Sequence, residues 1–175
     1  MGFYSRNIAP GLVDFACSAK PIVYQRRKVI PKASGVVLEI GAGGGHNFAF
    51  YDREKVTQLI ALEPEPGMIK RGRTRVPDGL PVEWLERGAE TANLAPGSVD
   101  TIVTTYTLCT IPDAVGALAA LRPALKPGGQ LLFCEHGLAP DPGVVKWQKR
   151  IEPVWRPIAG GCHLTRDVDA MLGAA

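Results

Sequence analysis

The run Val36-Val37-Leu38-Glu39-Ile40-Gly41-Ala42-Gly43-Gly44-Gly45 constrains this chain more than any other stretch, because an apolar, largely β-branched segment runs straight into a glycine-rich turn. A short run of this kind, closed by glycines, predicts a buried central strand of a parallel sheet. Gly41, Gly43 and Gly45 carry no Cβ, so the backbone there can take positive φ and come close to a ligand. The residues from Asn47 to Tyr51 are expected to open a helix whose first N–H groups face that ligand. The dinucleotide pattern G-x-G-x-x-G wants its third glycine at position 46, which is His46. Instead, an acidic residue stands two before the first glycine. A carboxylate there repels a pyrophosphate and suits a positive group, which points to a nucleoside bearing an amino acid.

Further strands and helices alternate after the turn. Helix-like sequence to about Lys55 precedes a second strand at 57–62, which ends in Glu63. A carboxylate at that strand end can accept hydrogen bonds from both hydroxyls of a ribose. A solvated strand end is the plainer reading. Met68 opens the next helix, where it can lie against an adenine ring or simply pack in the core. A third strand at 82–85 leads to the Gly88-Ala89-Glu90 loop, and a fourth at 98–106 leads to a loop, 107–113, beside the reacting centre. A helix at 114–125, a stop at Lys126-Pro127-Gly128-Gly129 and a fifth strand at 130–135 follow. The alternation, without repeat or linker, predicts an α/β, doubly wound, mostly parallel sheet that binds ligands at the carboxyl ends of its strands.

The chain has 175 residues, 46% of them hydrophobic, enough for one domain with a real core. Its net charge of +3 is unevenly spread: residues 1–35 carry six basic side chains against Asp14, whereas residues 36–140 carry nine against twelve acidic. With the basic surplus on the N-terminal segment, nucleic acid is not expected as a partner. That segment reads as two short helices punctuated by Pro10 and Pro21. They are expected to cover the body of the domain, and a basic amphipathic helix over the site mouth could also make peripheral membrane contact.

Cys17, Cys109, Cys134 and Cys162 show no C-x-x-C spacing, no signal-peptide pattern opens the chain, and no run approaches the ~20 apolar residues of a membrane span. A reducing cytoplasm is the expected home. Cys134-x-His136 and the adjacent pair Cys162-His163 could between them supply four zinc ligands. Adjacent residues rarely both reach one ion, however, and neither pair has finger spacing, so no metal is expected.

Glu39-x-Gly41-x-Gly43-x-Gly45, Glu63, Gly88-Ala89-Glu90, Ser98-Val99-Asp100 and Leu125-Lys126-Pro127-Gly128-Gly129 together resemble the motif series of class I S-adenosylmethionine-dependent methyltransferases of the type 11 kind. Phe3-Tyr4, residues 107–112, Glu135-His136-Gly137 and residues 161–166 are similar to the methyltransferase-like group that includes thiol methyltransferases. The resemblance implies a Rossmann-like core at 36–140 that binds S-adenosyl-L-methionine, between an N-terminal helical cover, 1–35, and a C-terminal helical segment, 141–175. It implies that Glu39, Gly41, Gly43 and Gly45 hold the methionine part, Glu63 the ribose, and Met68, Ala89 and Glu90 the adenine. Asn47, Thr105 and Leu108 complete the expected cofactor contacts. Where the family often has an aspartate before Ala-Glu, this chain has Gly88. The family's sixth and seventh strands are expected to be absent, leaving the order 3-2-1-4-5 with Leu131-Leu132-Phe133 on an edge. The C-terminal helices or a second chain, as a homodimer, would cover that edge.

Methyl transfer from a sulfonium needs alignment and exclusion of water rather than a triad. The expected acceptor is a small molecule, a thiol or a lipid-like compound. A thiol, with its pKa near ~8.5, needs only modest help to ionise. His136 and His163 are the candidates to assist, with a structural role as the alternative for each, and Cys109 either lines the acceptor pocket or packs. Two other readings are a truncated, non-catalytic cofactor-binding domain and a nicotinamide-binding oxidoreductase, the latter opposed by His46 and Glu39.

Overall fold

A computed structural model describes residues 9–175; the Phe3-Tyr4 pair and Ile8 lie outside the described residues. Five parallel strands form one sheet: β1 (Gly35–Ile40), β2 (Val56–Leu62), β3 (Val82–Leu85), β4 (Val99–Thr105) and β5 (Leu125–Cys134). Their order is β3-β2-β1-β4-β5, as the family resemblance implies, with β1 in the centre. Alternate residues of each strand point to opposite faces, and both faces are buried along most of β1, β2 and β4, while β5 leaves Leu131 and Phe133 exposed. Leu38, Ile40, Ile60, Leu62 and Ile102 face one apolar cluster with Ala117, Leu118 and Leu121. Val37, Leu59, Ala61 and Val103 face the other, with Ile30, Phe48 and Tyr51.

Among the described residues, six α-helices surround the sheet: α1 (Ala9–Cys17), α2 (Lys20–Val29), α3 (Pro66–Arg73), α4 (Ala114–Leu121), α5 (Pro142–Ile158) and α6 (Val168–Ala174). Asp113 caps α4, accepting from Gly116 N, and Asp141 caps α5, accepting from Gly143 N and Val144 N. None of these helices is long and apolar enough to cross a membrane. No residue of α5 is buried, so its apolar stripe, Val144, Trp147, Ile151, Val154 and Ile158, faces outward.

Three expectations need correction. No α-helix follows the glycine turn: residues 48–50 form one 3-10 turn, and Asp52 then accepts from Glu54 N to bend the chain back into β2. The nine-residue link is too short for a helix that also returns to the sheet. The Lys126-Pro127-Gly128-Gly129 stretch is a bulge inside β5, since Val99 pairs with Leu125 but Thr101 pairs with Gln130. Finally, α4 gives way to a 3-10 turn at Arg122–Ala124, where Pro123 cannot continue the α-helical ladder.

Candidate functional site

The carboxyl ends of β1, β2 and β4 converge on the glycine turn. Gly41 has φ of 64° and a Cβ there would strike the Thr107 side chain; Gly43 and Gly45 also have positive φ. Glu63, at the end of β2, accepts from Gly43 N at 2.9 Å through one oxygen and from Glu65 N at 3.0 Å through the other. Burial pushes its carboxyl above the ordinary range, opposed by those two N–H groups. Met68 is buried, with its Cε against the Cβ position of Gly43. Ala89 is buried in the 3-10 turn Ala89–Thr91, whereas Glu90 is exposed.

Beneath the turn lies a polar network that sequence reasoning only half anticipated. Glu39 is 1% exposed and accepts from Asn47 Nδ2 at 2.9 Å and from Tyr51 Oη at 2.7 Å. Asn47 also donates to Thr105 Oγ1 at 3.0 Å. Into this cluster α2 delivers Arg26, which donates to Asn47 Oδ1 at 2.6 Å and to Thr105 Oγ1 at 2.7 Å. Arg26 escaped the sequence reading because it opens a basic run with Arg27 and Lys28. Its spacing held the signal: Ile22, Arg26 and Ile30 recur every four residues on one helix face.

Above the turn, α1 places Asp14 where two guanidinium groups and an imidazole meet it. His46 Nε2 lies at 2.8 Å, Arg75 donates at 2.7 and 2.9 Å, and Arg71 stands at 3.7 Å. Arg75 also donates to Gly44 O. The Arg75 bond, opposed by burial and aided by His46, holds the Asp14 carboxyl below its usual range.

The chain beyond β4 forms the other wall. Tyr106 takes a φ of 54°, unusual for a non-glycine residue, with its ring between Arg26 and the His136 ring. Glu135 accepts from Thr104 Oγ1 and Thr107 N and so fixes the start of the 107–113 loop. Leu108 is fully buried; its side chain packs with the core and its carbonyl accepts from Arg166. Of the suspected zinc ligands, Cys134 lies against Tyr106 Oη, and His163 faces Glu152 at 3.4 Å. Instead, Cys162 Sγ sits 3.2 Å from His136 Nε2 and close to Cys109. Cys109, His136 and the Trp155 indole all turn on the Cys162 sulfur and hold this thiol well below its ordinary range, while the Cys109 thiol is raised.

A family model described as "Methyltransferase domain" matches residues 38–133. Human thiol S-methyltransferase TMT1B is 33% identical over 157 residues, which cover 86% of this chain and 64% of that protein. Human thiol S-methyltransferase TMT1A is 29% identical over 142 residues, 78% of this chain and 57% of that one. The chain therefore spans about three-fifths of the length of these two relatives. Among solved structures, the YcgJ protein of Bacillus subtilis superposes with a TM-score of 0.66 at 22% identity, over 86% of this chain and 65% of that one. This last likeness concerns the fold alone.

Proposed function

The chain belongs to the S-adenosylmethionine-dependent methyltransferase family, and on that premise we propose that it binds S-adenosyl-L-methionine over the glycine turn and methylates a small thiol or similarly soft, lipid-like acceptor. The observation that carries the cofactor reading is Glu63. Each of its oxygens takes one backbone N–H and keeps a lone pair for a ribose hydroxyl. The donor set fits the group: carboxylates line the turn, which suits a cationic amino acid and opposes a pyrophosphate. Gly41, Gly43 and Gly45 would pass close to the methionine part, with Glu39 acting through Asn47. Met68 and Ala89 offer apolar surface to the adenine, and Glu90 its polar edge.

When bound, the cofactor supplies a methyl group already activated on a sulfonium. The chain's own work is then to orient the acceptor and keep water out. Asp14 holds α1 over the turn, and Glu135 holds the 107–113 loop opposite. His136 and His163 are the bases within reach of that wall, for a proton that must leave a thiol. Similarity to the thiol methyltransferases supports the acceptor class. Leu12 and Phe15, exposed on α1, support membrane contact by the N-terminal segment. A second reading, cofactor binding without transfer, is favoured by the β5 edge, where Phe133 is 43% exposed.

The test is calorimetric titration with S-adenosylhomocysteine, with NAD as comparator, followed by methylation of a thiol panel. Replacing Glu63 by Ala removes an ionised acceptor worth about 1.5–3 kcal/mol, so affinity should fall about 10–100-fold. Preference for NAD would sink the reading. Tight binding with no methylated thiol would favour the second one.

A further inference from the structure

Cys109 and Cys162, which the reading above leaves unused, meet His136, which it offers as a base, at the carboxyl end of the sheet. Cys109 comes from the loop after β4, His136 from the segment after β5 and Cys162 from the loop after α5. Their ligand atoms, two Sγ and one ring nitrogen, all lie within 4.8 Å of one another. Tetrahedral zinc sets Zn–S near ~2.3 Å and Zn–N near ~2.0 Å, so its ligand atoms stand roughly 3.5–4 Å apart. The observed spacing needs only a small adjustment to accept an ion.

The surrounding chain holds the three segments together. His163 N donates to Cys109 O at 2.9 Å, tying the Cys162 loop to the Cys109 loop. Gln148 Nε2 bridges Gly137 O and Leu164 O at 2.9 and 3.0 Å, tying the His136 segment to the Cys162 loop. Glu152 accepts from Leu164 N, Thr165 N and Thr165 Oγ1, and Arg166 reaches Leu108 O. Two buried cysteines and one half-buried histidine are thus fixed by bonds that do not use their own ligand atoms.

We propose that Cys109, His136 and Cys162 form a Cys2His site for a divalent zinc-like ion, with a fourth coordination position left for the sulfur of the acceptor thiol. Two thiolates and an imidazole are a soft donor set that suits zinc, and three protein ligands with an open position are the arrangement of a reactive rather than a structural site. The cluster and the turn are linked through one loop: Thr107, two residues before Cys109, reaches Gly41 O at 3.4 Å. With His136 engaged as a ligand rather than as a base, a thiol entering the fourth position gives up its proton to solvent and remains a nucleophile. Its sulfur then forms the S–CH3 bond as the methyl–sulfonium bond breaks, and that electron pair stays on the departing thioether. The assignment of the fourth ligand rests on the thiol reading above; the metal site itself does not.

The full chain, purified under reducing conditions, would be loaded with zinc, dialysed and measured for metal content, and in parallel loaded with cobalt(II) for absorption spectroscopy. The expected result is one zinc per chain, with sulfur-to-cobalt charge-transfer absorption and the intense visible bands of a tetrahedral site. Cys109→Ser, Cys162→Ser and His136→Gln should lose the metal, while Cys134→Ser and His163→Gln, which alter the side chains the geometry leaves out, should keep it. The cobalt spectrum of the unaltered chain needs no variant to fold. Absence of both zinc and the charge-transfer band from a chain with all four thiols reduced would overturn the site, as would zinc retained equally in Cys109→Ser and Cys162→Ser. Adding a small thiol should shift the cobalt bands, and an unmoved spectrum would overturn the fourth-ligand assignment. Neither readout needs turnover: a chain that binds metal and methylates no thiol sinks the thiol reading and leaves the site standing.

Discussion

Arg75 donates two hydrogen bonds to Asp14, at 2.7 and 2.9 Å, across 61 residues of chain, and so fastens α1 over the glycine turn. The same Arg75 nitrogen that reaches Asp14 Oδ1 also reaches Gly44 O. One guanidinium therefore joins the helix, the turn and the end of α3.

Replacing Asp14 with Asn removes the charge that Arg75 and Arg71 share, with the His46 ring beside them. Because the Arg75 side chain is 37% exposed, part of the interaction is screened, and the expected cost is about 1–2 kcal/mol. Urea unfolding near neutral pH should show a lower midpoint with an unchanged slope. The folded carboxyl lies below its unfolded value. Its stabilisation is therefore complete above about pH 4 and is lost as pH falls through the lowered folded value. The gap between the wild-type chain and the Asn variant should accordingly close in acid. A gap that stays constant would mean Asp14 acts by packing.

Glu39 behaves in the opposite sense. Burial, opposed by the bonds from Tyr51 and Asn47 and by the charge of Arg26, pushes its carboxyl up to about 7 from 4.5. A folded value above the unfolded one means stability is fully present below about pH 4.5 and is lost as pH rises through 7, by up to ~3 kcal/mol. Glu39→Gln cannot ionise. Its stability relative to the wild-type chain should rise between about pH 5 and about pH 8, measured by urea unfolding across that range. A flat or falling difference would show that Arg26 keeps Glu39 charged throughout.

Local pattern and tertiary partnership explain what the sequence revealed and what it hid. The five strands were legible because apolar runs and glycine stops are local signals, whereas their order followed from the resemblance to class I methyltransferases. Glu63 was legible because a strand end has a fixed place relative to the turn. The helix expected after Asn47 failed on chain length, a tertiary constraint: the link must return to β2. Arg26 was hidden by its basic neighbours. The four side chains weighed and set aside as a zinc set do not converge, since the loop sends His163 to Glu152 and Cys162 to His136. Cys109 lies 53 residues from Cys162, and only the packed loops bring them together.

Glu152 should govern the order of that loop. One of its oxygens accepts from Leu164 N and Thr165 N at 2.8 Å and from Thr165 Oγ1 at 2.7 Å. Glu152→Ala leaves two amides without their acceptor. Hydrogen exchange at Leu164 and Thr165 should accelerate while the sheet stays protected, with a global loss of about 1–2 kcal/mol. Equal acceleration across the sheet would mean α5 supports the whole domain rather than this loop.

Gly41 tests whether the turn has any slack. At φ of 64° an L-residue carries a backbone penalty, and a Cβ there also meets the Thr107 side chain. Gly41→Ala should therefore cost about 2–3 kcal/mol, of which the conformational share is roughly 1–2 kcal/mol. The two shares separate in a double-mutant cycle with Thr107→Ser, which removes the Cγ2 methyl but keeps the hydroxyl that reaches Gly41 O. If the clash is real, the second change should restore the part due to the methyl and leave behind the backbone share and the contact with the retained Oγ1. If the effects simply add, the turn relaxes away from Thr107 instead, and the alanine variant should then bind S-adenosylhomocysteine poorly even where it folds well.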